Sequence, residues 1–329
     1  MKKIMIIPVL LAVFILSACT NPPIFAAIEQ EVKLKPASVK GSVNSIVRVG
    51  NTIYASNNKV FRKSLGDRDK WSSMDGASGL CVGLASDGTS LYGVFGNDGN
   101  FKAYRYDSGW KRITGVASAD FIAGTRTVFA SETGRKIYTI KNGTVTVVWN
   151  NEGFPRGAAR DYCLLSNGLY TEAGTLVTGS PSSDLRGICE GPGNSVLLFN
   201  GAMLYCYDGS RWTEMAHNVG SPVSIAYLPN KRLVLIAGKT GYDEIKLDDS
   251  SSSDLTKAKK VGAASASSSI PGGIYEQYRN SVGKWHLNPI AAFDYGSGYI
   301  IYAGAHDPTA TYSGLWGFYN PGQLEWNRE

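Results

Sequence analysis

Residues 81–113 read CVGLASDGTSLYGVFGNDGNFKAYRYDSGWKRI. Four short apolar runs, 81–84, 91–95, 101–106 and 110–113, are separated by turn signals that include Asp87-Gly88 and Asp107-Ser108-Gly109. Runs of this length bounded by Gly, Asp and Asn read as β-strands joined by hairpins. Asp-Gly and Asn-Gly pairs supply the positive φ that tight hairpin turns require.

The pattern recurs along the chain. Hairpins of one kind, strands a and b, are expected at 45–55, 80–95, 121–130, 162–170, 188–199, 224–237 and 292–303. A second kind, strands c and d, ends in a Trp or close to one, at 60–71, 103–110, 137–149, 203–212, 274–285 and 315–326. Trp71, Trp110 and Trp149 recur at intervals of roughly 40 residues, as do Trp285 and Trp326. Four antiparallel strands in about 40 residues make one blade of a β-propeller. The expected fold is therefore all-β, a propeller of seven four-stranded blades, with six or eight also compatible with the count.

Two intervals are longer. That from Trp149 to Trp212 predicts a shortened unit around 162–185, and that from Trp212 to Trp285 a unit with an insertion. Residues 248–273 read DDSSSSDLTKAKKVGAASASSSIPGG, with no apolar period, and are expected as a solvated loop. Two segments are candidates for the last d strand that closes the ring, 31–36 and 324–327. The recurring d-strand Trp is expected to fill the wedge between blades, burying on the order of 200 Å², rather than to serve as a sugar platform.

In a propeller the a–b and c–d turns share one face, and the b–c and d–a loops share the other. The longer, more varied connections are expected on the second face, where a rigid scaffold usually carries binding. Loop 304–314 contributes His306, Asp307 and Tyr312 there. The stretch 151–161, read as part of the longest d–a loop, contributes Phe154, Arg156, Arg160 and Asp161.

At the beginning of the sequence, Lys2 and Lys3 precede an apolar run, 4–16, broken only by Pro8 and ending in Leu16-Ser17-Ala18-Cys19. The run is too short to span a bilayer and has the form of a secretory signal. Its ending resembles the lipobox of bacterial lipoproteins. That resemblance implies a signal peptide at 1–18, a diacylglycerol on the Cys19 sulfur, and an acyl chain such as palmitate on the new amine. The expected organisation is 1–18 signal, 19–43 lipidated N-terminus and tether, and 44–329 propeller. The expected address is the bacterial cell envelope, with the protein anchored to a membrane by lipid.

Tyr106-Asp107-Ser108-Gly109-Trp110 and Tyr207-Asp208-Gly209-Ser210-Arg211-Trp212 resemble fragments of the Asp-box of sialidase-like propellers. The leading Ser of that motif is missing. The resemblance implies, as an alternative function, a glycan hydrolase whose arginines converge with a Tyr and carboxylates. Arg48, Arg126, Arg156, Arg160 and Arg186 are the available arginines, with Asp161 and Glu172. The Trp-Asp and Gly-His pairs of WD-repeat blades are absent.

Charged residues are 18% of the chain and hydrophobic residues 43%, with 38 Gly and 18 Tyr. Removal of Lys2 and Lys3 takes two charges from a net of +6, and the remainder is too dispersed to argue for nucleic acid. His217, His286 and His306 have no zinc-ligand spacing, so no metal or other cofactor is expected. No Gly-x-Ser-x-Gly elbow is present. Cys81, Cys163, Cys189 and Cys206 fall in apolar runs and are expected mostly as buried free thiols, with one bridge such as Cys189–Cys206 as the alternative. The reading that results is a non-enzymatic, membrane-anchored propeller that binds a protein or glycan partner through its loop-rich face. A structural scaffold of an envelope assembly is a further alternative.

Anchoring is directly testable. In the full chain, Cys19→Ala should abolish metabolic palmitate labelling and move the protein from the detergent phase to the aqueous phase on phase separation. Retention in the detergent phase would place the anchor elsewhere.

Overall fold

The computed structural model describes residues 37–67, 71–132, 136–150, 153–239, 241–248, 253–261, 286–306, 313–320 and 326–329. Seven antiparallel sheets follow one another along the chain. They span 45–74, 80–112, 121–150, 155–171, 187–216, 222–260 and 286–328, and are numbered blades 1 to 7. Six have four strands in sequential order and blade 4 has three. The innermost strand of each blade packs beside that of the next, and blade 7 returns to blade 1, so the ring is closed.

Blade 2 follows the repeat read at 81–113. Its strands are Leu80–Ser86, Leu91–Asn97, Asn100–Tyr106 and Trp110–Arg112. Ser108 and Gly109 both have positive φ in its c–d turn, as do Asn142 (52°) and Gly143 (80°) in that of blade 3. The b–c connection of blade 2 is equally tight. Asp98 (50°) and Gly99 (80°) form a hairpin turn of the same kind there, where a looser loop was expected.

Apolar side chains from adjacent blades form the cores between them. Ala85, Tyr92 and Val94 of blade 2 meet Ile122, Val128 and Tyr138 of blade 3. Polar contacts fix the spacing. The Leu84 amide donates to Ser45 Oγ at 2.8 Å, Ile290 to Ser224 Oγ at 3.0 Å, and Arg160 to Thr125 Oγ1 at 2.9 Å. In each pair a hydroxyl of one blade accepts from the inner strand, or the turn that follows it, in the next. An inner strand has no strand partner on its axial side, and its amides need such acceptors. Farther out, the Trp110 indole N–H donates to Asp75 O at 2.8 Å, and that of Trp212 to Thr178 O at 3.0 Å. Each Trp therefore ties its blade to the connection leaving the previous one, in line with the packing role expected, while both indoles stay half-buried.

Three expectations are corrected. Blade 4 begins with Pro155–Ala159, so Tyr162–Leu165 and Gly168–Thr171 are its strands b and c rather than a and b. Strand c of blade 6 is Gly241–Lys246, ahead of the Ser-rich stretch, and 274–285 lies outside the described residues. Part of the expected 248–273 loop is structured. Asp254 caps a short 3-10 turn, Leu255–Lys257, Leu255 is buried in the core, and Lys259–Lys260 pairs with strand c. One apolar side chain in a Ser-rich run gives no period, so only its tertiary neighbours reveal it.

Blade 7 closes on its own strand Trp326–Arg328, and the other candidate, 31–36, lies outside the described residues. Ala37, Val39 and Val43 are buried, so the ring already includes chain assigned from sequence to the tether. Ser38 and Val39 donate to Glu329 O at 2.8 and 3.0 Å, and Leu315 donates to Val39 O at 3.0 Å.

The junction of blades 7 and 1 holds a buried polar cluster. Lys63 Nζ donates to Glu329 Oε2 at 2.5 Å and to the Tyr319 hydroxyl at 2.6 Å. The Trp71 indole donates to the same carboxylate oxygen at 2.6 Å, and Tyr319 donates to the other at 2.8 Å. The Tyr302 hydroxyl lies 3.0 Å from that of Tyr319. Burial, then the Glu329 charge, pushes both tyrosine hydroxyls far above their ordinary range, so they stay protonated and able to donate. Lys63→Met would leave a buried carboxylate without its cation and should destabilise the ring by about 3–5 kcal/mol in urea unfolding. The double variant Lys63→Met, Glu329→Gln should lose less than the sum of the single changes. Strict additivity would show that the two groups act independently.

Candidate functional site

A cavity of about 1060 Å³ lies on the axis and is lined from all seven blades. The inner strands are Ser45–Val49, Leu80–Ser86, Phe121–Gly124, Pro155–Ala159, Gly187–Glu190, Pro222–Leu228 and His286–Tyr295. The lining falls mainly on their later halves and on the a–b turns that follow, so the cavity opens among those turns. This is the face opposite the one favoured from sequence. The a–b turns of blades 5 and 6 are the reason. Pro192 and Gly193 in one, and the 3-10 turn Pro229–Lys231 in the other, are larger than two-residue turns and build up the rim.

The walls are apolar, with Ile46, Ile188, Ile225 and Phe293, and the rim is charged. Arg48, Arg160 and Arg232 stand there with Glu190 and Asp294. Most of these groups are engaged in building the rim. Arg48 Nε donates to Gly50 O at 2.7 Å. Arg160 crosses from blade 4 to blade 5, with Nε donating to Ser195 O at 3.0 Å and Nη2 to Gly193 O. Its guanidinium also lies 4.0 Å from Glu190. Asp294 accepts from the Asn230 amide at 3.0 Å and joins the turns of blades 6 and 7. The rim is thus held in shape before any ligand arrives.

The residues singled out from sequence are dispersed. Phe154 is 60% exposed at the entry to blade 4, and Arg156 is exposed on the strand that follows. Arg160 and Asp161 occupy the a–b turn of blade 4, at the other end of that strand, rather than a d–a loop. Arg160 reaches the axial rim, whereas Asp161 points into a neighbouring depression. There it accepts from Thr127 Oγ1 at 2.6 Å and lies 3.4 Å from Arg126 Nη1. Glu172 and Lys141, 2.5 Å apart, line the same depression of about 580 Å³.

His306 ends strand Gly298–His306 in blade 7, on the b–c face as expected. Its Nε2 is 3.0 Å from Asn288 O, and its ring lies 5.3 Å from that of His286. Burial, then His306, lowers the His286 pKa. Two blades separate blade 7 from blade 4 on one side of the ring and three on the other, so His306 and Phe154 do not share a site. Asp307 and Tyr312, and also Cys19, lie outside the described residues. The five arginines do not converge either. Arg48 and Arg160 are axial, Arg126 is in the side depression, Arg156 is on the exposed strand, and Arg186 pairs with Asp184 at 2.5 Å. No signal in the linear sequence marked Ile46, Ile188, Ile225 or Phe293 as cavity walls. They look like any other apolar strand residue until the ring closes.

The four described cysteines are free thiols. Burial pushes Cys81 up to about 12 and Cys206 up to about 11. Cys163 and Cys189 are raised as well, chiefly by burial. Cys163 lies on strand b rather than strand a, and Cys189 is half-buried on the cavity wall.

This architecture defines the class, an all-β seven-bladed propeller. The chain belongs to the TP013X lipoprotein family, whose profile matches residues 1–191 and 200–329. It is a membrane-associated lipoprotein. Among its relatives are lipoproteins of Treponema pallidum (strain Nichols). One is 27% identical over 359 residues, covering 95% of this chain and 93% of the relative. Another is 26% identical over 397 residues and covers 100% of both. Among solved structures, the WD40 β-propeller domain of Doa1 superposes with a TM-score of 0.54 at 10% identity, over 88% of this chain and 96% of that one. A chain of the mitotic checkpoint complex gives 0.55 at 10% identity, over 83% and 95%. At that identity the likeness shows the fold alone. Among the described residues no helix is long and apolar enough to cross a membrane.

Thiol reactivity tests the cavity. Only the thiolate reacts, so raised pKa values make all four cysteines slow toward maleimide near neutral pH. Cys189 should nevertheless label first, because it alone lines the axial cavity. Earlier labelling of Cys81 or Cys163 would show that the ring opens locally.

Proposed function

We propose that this protein is a non-enzymatic, lipid-anchored binding protein of the bacterial envelope, held at a membrane through acylated Cys19 after loss of the 1–18 signal. Its axial cavity takes a segment of a protein partner. The observation that carries this reading is the cavity, with apolar walls drawn from all seven blades and a preformed charged rim. Concave sites with apolar walls and a few placed polar groups are the usual form of binding sites. A preformed rim also spares the ordering cost of association.

The glycan-hydrolase alternative is disfavoured, because its arginines and carboxylates are spread over separate places. The partner side also shifts. Binding was expected on the loop-rich face, whereas the cavity favours the face of the a–b turns.

Site-specific photo-crosslinking tests the assignment. In the full-length lipidated protein, a photoreactive residue at Ala292 should capture a partner that one at Phe154 does not. Ala292→Trp, which partly fills the cavity, should weaken binding of that partner at least tenfold while leaving thermal unfolding within a few degrees of wild type. Capture from Phe154 alone, or undiminished binding by Ala292→Trp, would overturn the axial assignment.

A further inference from the structure

The three-stranded blade 4 has a consequence at the outer margin of the ring. Beside strand c of blade 4, Leu176 makes only an isolated bridge with Tyr170, and residues 178–183 then pass as irregular chain. A groove of about 710 Å³ lies there and continues over strand Trp212–Ala216 of blade 5. Tyr205 pairs across strands with Glu214, and Tyr207 with Trp212. Alternation along a strand puts all four side chains on the same face, turned toward blade 4. Trp212 is stacked on Tyr207 at 4.7 Å and 29°. Its N–H is held by Thr178 O. Gly179 lies against its five-membered ring, where an added Cβ would come within 3.4 Å of Cδ1. The indole is therefore clamped in one orientation and remains only half-buried.

The groove also presents three charged planar groups, Arg211, Glu214 and Asp254, beside hydroxyls of Ser and Thr. Arg211 is 62% exposed, and its Nη2 lies 4.0 Å from Asp254 Oδ2, too far for a closed hydrogen bond. Asp254 Oδ1 is occupied by the Thr256 amide and hydroxyl, at 3.0 and 2.7 Å. The Glu214 side chain is exposed at the groove.

We infer that this groove is a carbohydrate-binding site for a neutral or N-acetylated oligosaccharide. A pyranose ring has one face of C–H groups and an equator of hydroxyls. A fixed aromatic ring suits the first. Carboxylate and guanidinium groups, each able to make two directed bonds, suit the second. Among the described residues that line the groove, none is an aliphatic Val, Leu, Ile or Met of the kind that would hold an apolar peptide side chain. Among the described residues that line it, two carboxylates outnumber one guanidinium, which disfavours anionic sugars. The site is separate from the axial cavity, since it lies on the outermost strands rather than the innermost. It does not depend on the function proposed above.

Titration calorimetry on the full chain, in a detergent without a sugar headgroup, tests the inference. The probes are chitotetraose, cellotetraose, mannotetraose and a heparin tetrasaccharide. At least one neutral probe should bind with a dissociation constant in the micromolar to millimolar range, and heparin should not. Arg211→Ala and Glu214→Gln, both on exposed side chains, should each weaken binding at least fivefold with unfolding midpoints unchanged. Trp212→Phe should keep part of the affinity that Trp212→Ala loses. Absence of binding by every neutral probe would overturn the proposal. So would preference for heparin, or neutral-sugar binding unaffected by both Arg211→Ala and Glu214→Gln.

Discussion

Closure of the ring between blades 7 and 1 is the constraint on which the other features depend. Six of the seven junctions join blades adjacent in sequence. The seventh brings the Glu329 carboxylate to the Lys63 ammonium across almost the whole chain. Both groups are almost wholly removed from water, and each would be costly alone. The cluster offsets that cost by saturating the carboxylate with three donors, from Lys63, Trp71 and Tyr319. The cluster ties strand c of blade 1 to the residue that follows the last strand of blade 7.

Several of the other junctions also use neutral groups. Hydroxyls of Ser45, Ser224 and Thr125 accept amides from the inner strands and turns of the following blades. Trp110 and Trp212 reach back to carbonyls of the preceding connections. Trp71 makes the equivalent reach at the closing junction, where its acceptor is a carboxylate. One device, an indole N–H donated to the previous blade, thus serves both ordinary junctions and closure. It also explains why these tryptophans read as packing residues. The single donor of each is committed to a neighbour, while Trp71 is buried and Trp110 and Trp212 are half-buried.

The two proposed sites arise from opposite properties of the fold. The axial cavity comes from regularity, since it needs an inner strand from every blade. The outer groove comes from irregularity, since it lies beside residues 179–183, which follow a single bridge at Leu176 where the other blades have a full fourth strand. The two proposed sites, one at the axis and one at the margin, do not compete for space.

Local chemistry in the chain determined the blade unit, the seven-fold repeat, the tight turns at Asn142-Gly143 and Ser108-Gly109, and the shortening near 162–185. These depend on alternation, turn residues and spacing, all of which are short-range. The same local reading misassigned the strands of blade 4, because Pro155–Ala159 has little apolar content and resembles a loop. It also missed Leu255, whose burial depends on residues distant in sequence. Where the candidate residues ended up was decided by tertiary structure alone. A two-residue turn sends Arg160 to the axis and Asp161 into the adjoining depression, and ring topology separates His306 from Phe154. Convergence of Ile46, Ile188, Ile225 and Phe293 on one cavity is a property of the closed ring. The partnership of Lys63 with Glu329 is likewise set by closure, since loop-closing contacts of that range leave no periodic trace in a sequence.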